Sequence, residues 1–139
     1  MENYIDLFNE IYNKFMEKYY KSNTFKEYFS NLSYRDIQYL EVIHKYKNIT
    51  ISELAYNLEI TKSAVTQNIK KLIKNGYVNK TQSETDKRNY NLTLTENVNE
   101  YFLKNDKVLN ELYNDSLSGI SSNEKKQLLK ILEKINKSI

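Results

Sequence analysis

The sequence has no cysteine, which excludes disulfides, thiol redox sensing and cysteine-ligated zinc. Its single histidine, His44, excludes a histidine-rich metal site within one chain. On an apolar helix, His44 reads as a residue at the edge of a core. There is no proline, and there are only two glycines, Gly76 and Gly119. With so few breakers and a strong 3.6-residue periodicity, the chain should be mostly helical. Both glycines follow helical patterns, where a left-handed C-cap is wanted. No apolar run approaches the ~18 residues of a membrane span. The stretch "MENYIDLFNEIYNKF" lacks the basic-then-apolar order of a signal peptide, so a cytoplasmic protein without a membrane partner is expected. Repeats and low-complexity segments are missing. So are a Ser/His/Asp set, a glycine-rich phosphate loop and a converging carboxylate pair, and neither an enzyme nor a cofactor is expected.

What is present suits one compact domain over 1–139, with 40% hydrophobic content. Thirteen tyrosines accompany many Lys, Asn and Ile, which reads as a codon bias toward A and T rather than as function. Tyr4, Ile5, Leu7, Phe8, Ile11, Tyr12, Phe15, Met16 and Tyr19 form a wide apolar stripe and predict a helix over about 3–21. Ser33 can cap a second helix with Ile37, Leu40, Val42 and Ile43 inward. "TISE" at Thr50–Glu53 is a capping box opening a short helix, with Leu54, Ala55 and Leu58 inward. After a break at Glu59-Ile60, Thr61 caps a helix ended by Gly76. "YVNKTQ" and "NYNLTLT" flank a polar tip and predict the two strands of a hairpin. A long helix follows over about 95–117. A second capping box, Ser121–Glu124, opens a last helix with Leu128, Ile131, Leu132 and Ile135. The expected class is mainly α, with about six helices and a two- or three-stranded β-wing.

The order short helix, tight turn, helix, hairpin is that of a winged helix-turn-helix, whose second helix can lie in the DNA major groove. In that helix Val65, Ile69 and Leu72 stack inward, with Ile73 flanking. The opposite face presents Ser63, Gln67, Lys70 and Lys74, with Thr66 to one side, and the helix has no Asp or Glu at all. From Thr61 to Arg88 there are seven bases (Lys62, Lys70, Lys71, Lys74, Lys80, Lys87 and Arg88) against two acids, Glu84 and Asp86. That is a net +5 in a chain of net +3, so the remainder is −2. The positive field lies on the part that would face a polyanion. A lysine-rich solvated surface is the alternative, and the uncharged-to-basic helix face argues against it. Gln67 can bond adenine bidentately, and Ser63 and Thr66 can reach base edges or a thymine methyl. Lys62 can reach either bases or phosphate. Lys70, Lys71, Lys74 and Lys80 are expected on phosphates, as are the first amides of the helix. In the tip "SETDKRNYNLTLT", Asp86 is expected to hold the Arg88 guanidinium by a bidentate pair.

"ITISELAYNLEITKSAVTQNIKKLIKNGYVNK" followed by "DKRNYNLTLT" resembles the MarR (multiple antibiotic resistance regulator) family of bacterial transcription factors. The motif detail covers Ser33–Asn99, and the flanking helices fit the family's layout. The most specific piece is the Asp-x-Arg wing, Asp86-Lys87-Arg88, followed at a fixed distance by Leu94-Thr95. The resemblance implies a homodimer in which N- and C-terminal helices interlock, and a winged helix-turn-helix over 33–99 with dimerisation helices in 1–32 and 100–139. It further implies that Arg88 enters the minor groove while Asp86 holds that arginine and its loop. Many members are repressors released by small, often aromatic or anionic, ligands. Two departures concern turn geometry: Val98 stands where the family often has glycine after Leu-Thr, and Glu59 where glycine is frequent in the helix-turn-helix turn.

The dimer has support from the residues themselves. Helices ~25–30 Å long, at 1.5 Å per residue, must bury most of their length, and the stripe over 3–21 is too broad for one partner face. Packing within a single six-helix domain is the alternative. The expected function is a sequence-specific DNA-binding regulator, a ligand-responsive repressor bound to a near-palindromic operator as a homodimer. The alternative is a winged-helix architectural or protein-interaction module without small-molecule control. Tyr12, Tyr34, Tyr39 and His44 could line an inter-domain pocket but read more readily as core or surface residues, and no ligand site is assigned.

Overall fold

A computed structural model describes residues 3–22 and 29–139. Among these the chain forms α1 (Tyr4–Ser22), α2 (Tyr34–Tyr46), β1 (Ile49–Thr50), α3 (Ile51–Leu58), α4 (Lys62–Lys74), β2 (Val78–Gln82), β3 (Tyr90–Leu94), α5 (Glu96–Ser116) and α6 (Ser122–Ser138). They fall into two compact units. One, the winged unit, is Thr24–Asn105; the other, the helical unit, is Met1–Asn23 with Asp106–Ile139.

Side-chain caps fix the starts of five described helices, beginning with Asn3 Oδ1, which accepts from the Ile5 and Asp6 amides of α1. Ser33, Thr50 and Ser121 each accept from the third residue of their helix, while Asp36, Glu53 and Glu124 at that position accept in return. Thr61 Oγ1 accepts from the Ala64 amide at 3.2 Å. Each such cap stabilises by about 1 kcal/mol. The end of α4 is a left-handed turn at Gly76 (φ 80°). The Gly76 amide donates to the Ile73 carbonyl and the Tyr77 amide to that of Leu72, the paired bonds of a Schellman motif. α3 ends with the same two bonds, from Glu59 to Tyr56 and from Ile60 to Ala55. Here the left-handed residue is Glu59 (φ 55°, ψ 42°). The tight turn is therefore kept without its glycine, at the cost of strain in a residue that carries a Cβ.

The sheet has the order β1-β3-β2, all antiparallel. Thr50 serves twice: its side chain caps α3 and its residue pairs with Asn91, so β1 adds a third strand to the wing's base. In the winged unit Leu40 and Ile43 of α2, Leu54 of α3, Val65, Ile69 and Leu72 of α4, Val78, Leu92 and Val98 are all buried. Phe29 meets Tyr101 edge-on at 4.7 Å, and His44 stacks on Phe102 at 4.9 Å. Each such aliphatic contributes ~1.5–3 kcal/mol of burial free energy. Three of them lie along one face of α4, so its opposite face is held toward solvent.

In the helical unit Phe15 of α1 stacks on Tyr113 of α5 at 4.7 Å. No residue of α1 or α6 is buried. Tyr4, Ile5, Phe8, Ile11 and Tyr12, with Leu129, Ile131 and Leu132, are exposed apolar side chains at helical spacing. Among the described residues no helix is long and apolar enough to cross a membrane.

Candidate nucleic-acid interface

Lys62, Ser63, Gln67, Lys70 and Lys74 are all exposed on α4, with no side-chain partner among the described residues. Thr66 is half-buried, and its hydroxyl donates to the Lys62 carbonyl at 2.8 Å. What it retains for a base is an acceptor and a methyl group. Thr61 occupies one amide at the start of α4, so the amides before Ala64 remain open toward an anion.

Lys71 differs from Lys62, Lys70 and Lys74 in having a partner. Its Nζ donates to Asp36 Oδ2 at 3.0 Å, so it is not a free cation on the outer face. Asp36 is 1% exposed. Oδ2 also accepts from the Ser33 amide at 3.0 Å, and Oδ1 accepts from Asn68 Nδ2 at 3.1 Å. Burial pushes the Asp36 carboxyl up, but the hydrogen bonds from Lys71, Ser33 and Asn68 outweigh it and hold the group below the ordinary aspartate value. One carboxylate thus caps α2 and ties it to α4.

The wing tip is closed by its own hydrogen bonds. The Ser83 amide donates to the Asn89 carbonyl at 2.9 Å, and Gln82 Nε2 to the Lys87 carbonyl at 2.6 Å. Asp86 acts on the Arg88 amide and the Asn89 side chain and not on a guanidinium. Oδ1 accepts from the Arg88 amide at 3.0 Å and Oδ2 from Asn89 Nδ2 at 3.3 Å. The expected bidentate pair with the Arg88 side chain is replaced by an Asx-turn, because a carboxylate two residues upstream meets the amide before it can meet the end of a long side chain. Lys87 and Arg88 are exposed, and neither side chain has a partner among the described residues. Lys80 rests over the Tyr90 ring at 4.5 Å. At the base of the wing Thr95 Oγ1 donates to the Gly76 carbonyl at 2.8 Å. That bond gives the Leu-Thr pair its job: it fastens the end of β3 to the end of α4.

Sequence reasoning missed two features. Asp36 sits third after Ser33, so the capping box accounts for it fully until the fold brings Asn68 and Lys71 to it. Tyr56, 86% exposed on α3, lines an open groove with Lys62 and Thr61; no local signal marks it. Of the four aromatic candidates for a pocket, Tyr39 is core and Tyr12 and Tyr34 are exposed. His44 lines a cleft of about 410 Å³ with Ile43, Lys47, Thr93, Leu94, Asn99 and Leu103.

A small helical core that presents one acid-free helix beside a β-hairpin makes this a winged helix-turn-helix protein. Residues 32–90, less than half of the chain, match the model of the MarR family. The chain is 31% identical to the HTH-type transcriptional regulator BilQ of Clostridium symbiosum over 86 residues, 62% of this chain and 60% of that relative. The chain therefore spans less than two thirds of that curated relative's length. A MarR protein from Peptoclostridium difficile DA00132 shares 29% identity with a TM-score of 0.56, over 96% of this chain and 86% of that one. Streptococcus pneumoniae FabT, solved in complex with DNA, superposes with a TM-score of 0.69 at 20% identity, over 97% of this chain and 96% of its own. The family and the matched relatives are transcriptional regulators, not enzymes.

Proposed function

We propose that the protein is a homodimeric, sequence-specific DNA-binding regulator, a repressor relieved by a small aromatic or anionic effector. The observation that carries this reading is the outward face of α4, where Ser63, Gln67, Lys70 and Lys74 stand exposed in a helix without acids. A pre-closed wing beside it leaves Lys87 and Arg88 free. Ser63, Thr66 and Gln67 read bases in the major groove. Lys62, Lys70 and Lys74 hold phosphates, and the wing delivers Arg88 to the minor groove, supported by Lys87 and Asp86. FabT in its DNA complex shares the fold. Dimerisation falls to 1–32 and 100–139, supported by the unburied apolar faces of α1 and α6 and by the prevalence of two-fold assembly.

The test is selection of genomic fragments by the purified protein, followed by sequencing of what is retained. A near-palindrome with half-sites about 34–36 Å apart, or a multiple of that, is expected. Retention without any enriched site would favour the architectural reading, and no retention would defeat DNA binding.

A further inference from the structure

We propose that Asn68 and Lys71 are an anchor and not DNA contacts: through Asp36 they fix the rotation of α4 about its own axis, and with it which base edges Ser63 and Gln67 reach. The inference rests on the DNA-binding reading above and assigns specificity to residues that need touch no base.

The chain supplies its own comparison. Among the described residues three capping boxes open helices, and in two of them the acid, Glu53 or Glu124, is exposed. Only Asp36 is buried, and only Asp36 reaches residues 32 and 35 positions away in sequence. Capping does not require that burial, and burying a carboxylate is costly unless it is fully hydrogen-bonded. Something besides the cap is served.

Geometry says what. Val65, Ile69 and Leu72 hold the back of α4 against the core, but apolar burial is non-directional and tolerates small rotations. Hydrogen bonds at 3.0–3.1 Å from one flank of the helix do not. Asn68 and Lys71 are three residues apart and so share that flank. Gln67 and Lys70 are their immediate neighbours, about 100° round the axis on the outward face. A rotation of roughly 10° would carry a side-chain tip ~5–6 Å from the axis by about 1 Å, enough to break a bidentate base contact. Asp36 cannot yield to such a rotation, because Ser33 and the first turn of α2 hold the same carboxylate.

The experiment compares full-length Lys71→Met and Asp36→Asn with Lys70→Ala and Lys74→Ala, on the enriched duplex and on a scrambled one, across a salt series. Lys70→Ala and Lys74→Ala should each reduce the salt slope by about one and weaken both duplexes alike. Lys71→Met should leave the slope unchanged and lower the ratio of specific to non-specific affinity about tenfold, the discrimination carried by one base contact. Asp36→Asn should lower that ratio in the same way. Lys71 is half-exposed and carries the test even if Asp36→Asn fails to fold, which circular dichroism would report. A slope reduced by one with the ratio intact would make Lys71 an ordinary phosphate contact and overturn the proposal. Equal losses on both duplexes at unchanged slope would overturn it too, since they would mean a purely structural role. If Lys70→Ala and Lys74→Ala also leave the slope untouched, it is the DNA-binding reading that fails.

Discussion

Replacing Glu59 with glycine should stabilise the protein, and the structure sets the size of the effect. Glu59 ends α3 in the left-handed conformation, which costs an L-residue roughly 1–2 kcal/mol. Its side chain is exposed and has no partner among the described residues, so truncation loses no contact. Glycine releases the strain but widens the unfolded ensemble, an opposing term of about 0.4–1 kcal/mol. A second favourable term is electrostatic. The negative charge sits at a helix C-terminus, where removal gains about 0.3–1 kcal/mol. Glu59→Gln isolates that term because it leaves the backbone strained. The net gain of Glu59→Gly over Glu59→Gln should be about 0.5–1 kcal/mol, or ~2–3 °C in Tm for a chain of this size. The converse change, Gly76→Ala, meets no atom within 4 Å of the added Cβ and fails only on its φ of 80°, so it should destabilise by a similar amount. Urea unfolding followed by circular dichroism, at one fixed protomer concentration, measures all three. If Glu59→Gly is no more stable than Glu59→Gln, the left-handed turn is not the strained element described here.

Three further outcomes follow from the interface. Arg88→Ala should weaken specific binding by ~1–3 kcal/mol and by more than Lys74→Ala does in the same titration; equal small losses would remove Arg88 from the groove. Asp86→Ala should weaken binding although it makes the tip more positive, because the Arg88 and Asn89 anchors go with it; tighter binding would mean that charge repulsion governs the tip. Asp36 titrates below its ordinary value in the folded state, so its contribution is complete above the unfolded-state value of about 3.9 and is lost as pH falls through the folded one. The stability gap between wild type and Asp36→Asn should therefore be flat near neutrality and close only in strong acid. A gap that begins to close near pH 6 would contradict that.

Most elements of the fold are written locally. Ser33, Thr50, Thr61 and Ser121 each start a helix by reaching the third amide ahead, a signal confined to four residues. Val65, Ile69 and Leu72 reveal the inner face of α4 by spacing alone. What escaped prediction depends on residues far apart or on competition at short range. β1 is two residues long, too short for alternation to show. The tie from Asp36 to Lys71 spans 35 positions, and nothing local in the sequence points from one to the other. Asp86 was legible as a partner for Arg88 but not for which part of it.

That distinction changes how the charges work. Seven bases lie between Thr61 and Arg88, yet they are not equivalent. Lys71 is matched by a buried carboxylate, and Lys80 lies on an aromatic ring. Lys62, Lys70, Lys74, Lys87 and Arg88 remain unpaired among the described residues, and on the DNA-binding proposal these five are the cations freest to meet phosphates. The acids do not dilute this set. Asp36 fixes the helix that carries three of the five, and Asp86 fixes the loop that carries the other two. Had Asp86 taken the Arg88 guanidinium, as its spacing invited, binding would first have had to break that pair. Holding the backbone instead leaves the guanidinium its full set of donors, so on the DNA-binding proposal the ordering of the loop would be complete before a nucleic acid arrives.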